Sequence, residues 1–205
     1  MAVKIEKRGK IKLAKNRRYK KVCLGWHAEK VVGKPDYDFD VSLLMLGENG
    51  ECNHDEDLIF YNNKVGRNNC VIHTGDDRKG SSTEGYNADG EYVNDCEVIS
   101  IDLDVVPDDI QSMIVVCTLY EAERRKQQFR DVKNSYVRVL SVDDPEDQDG
   151  DEEVRYNMSS DLGFENGYIV AKLIRNGRGW DFQAVGDGFD GGLEALLPKY
   201  GLVVE

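Results

Sequence analysis

YIVAKLIRNGRGWDFQAV, residues 168–185, sets two apolar runs rich in β-branched and aromatic side chains on either side of Asn176-Gly177. Asn and Gly tolerate the positive φ that a tight hairpin turn requires, so Tyr168–Arg175 and Trp180–Val185 are predicted to be paired antiparallel strands. Working outward, short runs of the same character recur between turn signals at Lys21–Trp26, Phe39–Leu46, Leu58–Tyr61, Val98–Leu103, Met113–Tyr120, Tyr136–Val142 and Val154–Asn157. That rhythm predicts a mainly β fold, a two-sheet β-sandwich. Helix is scarce. Glu121–Asp131 has a helical composition, and Gly192–Tyr200 is expected to form a short terminal helix interrupted by Pro198 and closed by Gly201. Both are expected to be peripheral, packed on the outside of the sheets.

At 205 residues the chain suits one domain, spanning 1–205, with the basic strands of residues 1–21 included. With 27 basic against 39 acidic residues its net charge is −12, which disfavours a general nucleic-acid binder. The charge is uneven: Lys4 to Lys21 is basic apart from Glu6, and Asp143 to Glu153 is almost wholly acidic. The basic opening is expected to decorate two short strands whose Val3/Ile5 and Ile11/Leu13 face inward, and the acidic run to be a solvated hairpin tip. An EF-hand is excluded there, because Gly150 comes fourth from Asp147 rather than sixth and no helix flanks the run. Five cysteines without a Cys-x-x-Cys pair give no disulfide framework and no zinc spacing, so a cytoplasmic location is expected, with Cys23 and Cys117 as core residues. No stretch reaches the roughly 20 apolar residues that span a bilayer.

Oxygen donors recur at strand ends. Asp38 and Asp40 flank Phe39, so in a strand they share one side and Phe39 takes the other. Asn62 and Asn63 close the next run with two amides. Gly75, Asp76 and Asp77 open a long glycine-bearing loop that ends at Asp95 and Glu97. Singly these are a solvated strand face and ordinary turns. Brought together by a fold, the carboxylates would repel unless a cation intervened. Calcium takes about six to eight oxygens in loose geometry, whereas magnesium demands a tight octahedron, so a flexible loop favours calcium. Two alternatives use the same acids: a metal-dependent hydrolase with His73 as general base, and a calcium-dependent lectin-like module using Trp26 or Trp180. Neither a phosphate loop nor a nucleophile elbow appears.

In sequence order, Gly25-Trp26, Asp38-x-Asp40, Ile59–Asn63, His73–Arg78, Leu103-x-x-Val106-Pro107, Arg125–Phe129 and Gly186-x-Gly188-Phe189-x-Gly191-Gly192-Leu193 are similar to the motifs of the TerD, or tellurium-resistance, family. The resemblance covers nearly the whole chain. It implies a β-sandwich with peripheral helices, one or two calcium ions near one end of the sheets, and no enzymatic chemistry. The family's metal-site positions correspond to Asp38, Asp40, Asn62, Asn63, Gly75, Asp76, Asp77, Asp95 and Glu97. It further implies a bacterial or phage stress-response protein with protein partners, cytoplasmic or peripheral at the inner face of the membrane. Three features depart from the family's pattern: Asp77 stands where Asn is usual, the loop is lengthened through residues 81–94, and His27 rather than Asp follows the Gly-Trp pair.

Overall fold

Along Phe39–Leu46 the protein buries both faces of a single strand. Phe39, Val41, Leu43 and Met45 enter one apolar cluster, while Leu44 and Leu46 enter a second. The first is the core between two sheets; the second lies under the C-terminal helix. A computed structural model describes residues 2–27, 35–74, 85–87 and 90–203. Its strands are β1 (Val3–Ile5), β2 (Lys10–Lys12), β3 (Tyr19–His27), β4 (Phe39–Leu46), β5 (Leu58–Ile59), β6 (Val71–His73), β7 (Gly85–Tyr86), β8 (Tyr92–Val93), β9 (Asp95–Asp102), β10 (Ser112–Leu119), β11 (Lys133–Val142), β12 (Asp151–Asn157), β13 (Gly167–Asn176) and β14 (Gly179–Phe189).

One six-stranded sheet has the order β1-β12-β11-β3-β9-β6 and the other β2-β14-β13-β10-β4-β5, with β7-β8 as a separate ladder. This is the expected mainly β, two-sheet architecture. Val22, Leu24, Ile99, Val137, Val139 and Val154 from the first sheet meet Val41, Leu43, Val115, Leu173 and Phe182 from the second. Burying one such side chain contributes about 1.5–3 kcal/mol. The 168–185 hairpin forms with β13 and β14 antiparallel, Asn176 opposite Gly179. The turn itself is Gly177-Arg178, one residue later than expected, and Gly177 carries the positive φ of 59°.

The helices divide. Gly192–Leu196 is α-helical and Leu197–Tyr200 a 3-10 turn, closed by Gly201 at φ 78° as expected. Leu196 and Leu197 cover the outer face of the second sheet. Residues 121–131 form no continuous helix. A short α-helical turn, Ala122–Arg125, ends at Lys126 with φ 54°, and Phe129–Asp131 is a 3-10 turn. This segment does not lie on the outside of a sheet. Ala122, Phe129 and Val132 enter the main core, and Phe129 stacks edge-on to Phe39 (5.2 Å) and Tyr168 (4.9 Å), plugging one end of the sandwich. The apolar anchor outweighs helical continuity in this short stretch.

The N-terminal segment joins the two sheets: β1 pairs in parallel with β12 of one, and β2 pairs with β14 of the other. Leu13 is buried and Ile5 and Ile11 pack partly on the core, but Val3 is 45% exposed because β1 lies at a sheet edge. Among the described residues no helix is long and apolar enough to cross a membrane.

Candidate functional site

Antiparallel pairing carries three of the predicted oxygen-rich segments to one end of the sandwich. The start of β4 carries Asp40 there, the start of β9 carries Glu97, and β6 ends there at His73, followed by Thr74. Glu97 lies opposite Leu24, a core residue, so its side chain points between the sheets and is only 2% exposed. His73 is also buried. Its Nε2 is 3.2 Å from the carbonyl of Val41 on the facing sheet and 3.7 Å from Glu97 Oε2. Cys117, opposite Val41, reports the convergence: its thiol is pushed well above the ordinary range first by burial and then by the charges of Glu97 and Asp40. Two carboxylates from different sheets therefore act on one buried sulfur.

Asn62 and Asn63 lie in a tight turn in which Phe60 and Asn63 exchange backbone hydrogen bonds. β5 runs antiparallel to β4, so this turn extends toward the Asp40 end. Asn63 donates from its amide nitrogen to the Leu58 carbonyl at 2.7 Å, which leaves its side-chain oxygen as the end able to meet a cation. Asp38 precedes β4 at the same end, with Arg125 Nη2 3.5 Å from its Oδ2. Gly75, Asp76 and Asp77 lie outside the described residues.

Asp95 is placed differently. Period two puts Asp95 and Glu97 on one face, but the β3–β9 register slips between Leu24 and Gly25, leaving Cys96 as an extra residue. The bulge turns Asp95 toward the outer face of the first sheet. There it is 5% exposed, accepts from Tyr136 Oη at 2.8 Å and is ion-paired with Arg138, which also holds Glu152 at 2.9 Å. Its charge is thus already matched, and it does not face Glu97.

The donor chemistry of Asp40, Glu97, Asn63 and Asp38 is hard oxygen, the kind calcium takes. Among the described residues no group of three or more His, Cys, Asp or Glu is placed to hold a metal ion.

Sequence analysis missed two polar features. Lys20 is fully buried and bonded to Ala14 O, Ser141 Oγ and Glu153 Oε1 at the opposite end of the sandwich. Continuing the alternation back from Leu24 through Val22 flags it, since that puts Lys20 on the inner face. Arg17 bridges Asp143 and Asp151, each at 2.8 Å, and Lys21 donates to the Asp147 carbonyl. The end of the basic opening, Arg17 to Lys21, therefore reaches across to the acidic hairpin, whose tip stays exposed as expected. No local pattern links them, because the partners are more than 120 residues apart.

Fold and site define a class: a two-sheet β-sandwich domain with an oxygen-lined rim at one end. The chain belongs to the TerD domain family, whose model matches residues 1–200. It is 36% identical over 205 residues to the tellurium resistance protein TerD of Serratia marcescens, covering 98% of each chain. It is 35% identical over 183 residues to general stress protein 16U of Bacillus subtilis, covering 89% of this chain and 87% of that one. The crystal structure of a homologue of telluride resistance protein from Streptomyces coelicolor A3(2) superposes with a TM-score of 0.62 at 17% identity, over 89% of this chain and 96% of that one, a likeness of fold.

Proposed function

We propose that this protein is a calcium-binding, non-enzymatic stress-response protein of the TerD family. In it one or two ions tie the loop beginning at Gly75 to the rim carrying Asp38, Asp40, Asn62, Asn63 and Glu97. What supports this is the gathering of oxygen donors at one end of the sandwich, where the starts of β4 and β9 carry Asp40 and Glu97 and β6 leads from Thr74 toward that loop. A hard divalent cation would stabilise carboxylates gathered at one rim. Asp76 and Asp77 would supply further carboxylates from the loop itself. Asp95, matched by Arg138, belongs to the rim's support rather than to the ligand set.

The ion's role is structural: binding the folded state alone adds RT ln(1 + [L]/Kd), about 2.7 kcal/mol at a hundredfold excess. The tellurium-resistance and stress names of the relatives support a role in stress resistance; action in an assembly with other proteins, in the cytoplasm or peripherally at the inner face of the membrane, is part of the same proposal. Neither enzyme nor lectin chemistry is favoured, since His73 is tied to Val41, Trp180 is 3% exposed and Trp26 packs on Phe39 at 4.3 Å.

Calorimetric titration of calcium into chelator-treated protein tests this, with magnesium as control and an Asp40→Ala plus Asp76→Ala variant alongside. Saturable calcium binding, weak for magnesium and lost in the variant, is expected. At a hundredfold excess over Kd the melting temperature should rise by roughly 5–10 °C. Absence of both calcium heat and a melting shift in the wild-type protein would refute the calcium site.

A further inference from the structure

At the other end of the sandwich, where β3 begins and the β13–β14 hairpin turns, a cleft of about 500 Å³ lies between residues 13–18 and that hairpin. Its lining carries five cationic side chains, Lys15, Arg17, Arg18, Arg175 and Arg178, against one carboxylate, Asp104. In a chain of net charge −12 this inversion of sign is local and has to be built. Two of the five charges are already spent: Arg17 on Asp143 and Asp151, and Arg18 on Asp102. The other three are not. Among the described residues Lys15, Arg175 and Arg178 form no ion pair.

Arg175 is held in place without being neutralised. Its Nε donates to the Ile110 carbonyl at 2.7 Å, its Nη2 donates to the Pro107 carbonyl at 2.8 Å, and its guanidinium lies 4.6 Å over the Trp180 ring. Carbonyls occupy its Nε and Nη2 but leave the positive charge and Nη1 in place, so Arg175 offers an anion a fixed charge with little freedom to lose. The Lys15 stem lies across the hairpin against Gly179, where an added Cβ would sit 2.5 Å from Lys15 Cε. Lys15 and Arg178 thus line the same cleft.

We propose that this cleft binds a phosphorylated small molecule. The volume falls in the range of small-ligand sites and exceeds what a single inorganic anion fills, and a phosphate group meets the guanidinium fork well. A small ligand is selected over a nucleic acid by electrostatics. The screening length is about 8 Å at physiological ionic strength, so an anion inside the cleft senses Lys15, Arg175 and Arg178. A long polyanion would also have to cross the neighbouring acidic tip that Arg17 bridges.

The test is calorimetric titration of calcium-free full-length protein, in chelator, with inorganic phosphate, pyrophosphate and adenosine triphosphate. Co-sedimentation with phosphatidylglycerol vesicles distinguishes a lipid headgroup from a free ligand. A Lys15→Glu plus Arg178→Glu variant is the comparison, with melting temperature as the folding control, both side chains being exposed. Saturable one-to-one binding of pyrophosphate or the nucleotide is expected, weakened at least about tenfold per reversed charge. Vesicle binding that needs the same two residues would assign the phosphate to a headgroup. Absence of binding by every probe, or equal binding by wild type and a folded variant, would overturn the proposal. Because the cleft lies at the end opposite the calcium rim and is tested without calcium, its failure would leave the calcium proposal standing.

Discussion

Asp95 shows how one carboxylate's role turns on a single bulge. With Tyr136 Oη at 2.8 Å and Arg138 alongside, it is a buried anion with its cation in place. Removing one partner of such a pair strands the other, at a cost of about 3–5 kcal/mol. Asp95→Ala should therefore lose about that much stability in urea unfolding while keeping its calcium titration. A loss under about 1 kcal/mol, or abolished calcium binding, would contradict the assignment. Gly25 belongs to the same arrangement: a Cβ there would lie 2.2 Å from the Tyr136 ring and 2.4 Å from the Asn94 carbonyl. Gly25→Ala should displace the tyrosine that holds Asp95 and destabilise the protein in urea unfolding, and replacing Tyr136 by Ala as well should not restore stability, because the Asn94 backbone carbonyl still stands in the way.

At the scale of elements, the β11–β12 hairpin and the N-terminal segment make two kinds of ionic contact with different energetics. Lys20 and Glu153 meet at 2.6 Å with the lysine fully buried. Arg17 meets Asp143 and Asp151 at the surface, where those carboxylates are 75% and 77% exposed. Exposed pairs contribute about 0–1 kcal/mol and weaken in salt. Lys20→Met should thus cost about 3–5 kcal/mol by stranding Glu153, whereas Asp143→Asn plus Asp151→Asn should cost under about 1 kcal/mol. Equal losses in urea unfolding would disprove this division.

For the whole molecule, the five cysteines are free, and four of them are buried. Burial pushes the Cys52 thiol up to about 12 and Cys70 to about 11, and raises Cys23 and Cys117 well above their ordinary value. The sign follows by linkage. Unfolded thiols lose their protons near pH 9 while the folded ones keep theirs, so above that pH the native state binds more protons and stability falls. The stabilisation is complete below the unfolded pKa and is lost progressively toward pH 11–12. The urea midpoint should decline between pH 8.5 and 10, and a Cys52→Ala plus Cys70→Ala variant should decline less steeply. A flat wild-type profile across that window would exclude the effect.

The local chemistry of the chain was enough to determine the strands, the hairpin near Asn176-Gly177, the glycine-closed terminal helix and the acidic tip between β11 and β12. Each depends on side-chain alternation or turn geometry within a few residues. Gathering Asp38, Asp40, Asn62 and Asn63 at one rim was partly legible too, because each group ends or begins a strand. Only the tertiary structure decided that Asp95 turns away from Glu97, that Phe129 plugs the core, and that the basic opening meets the acidic tip. The same holds for the assembly of Lys15, Arg175 and Arg178 around one cleft. A register slip reverses a side chain's face without changing its sequence neighbours, and an ion pair across more than 120 residues leaves no local trace. Such contacts exist only once two sheets have closed on each other.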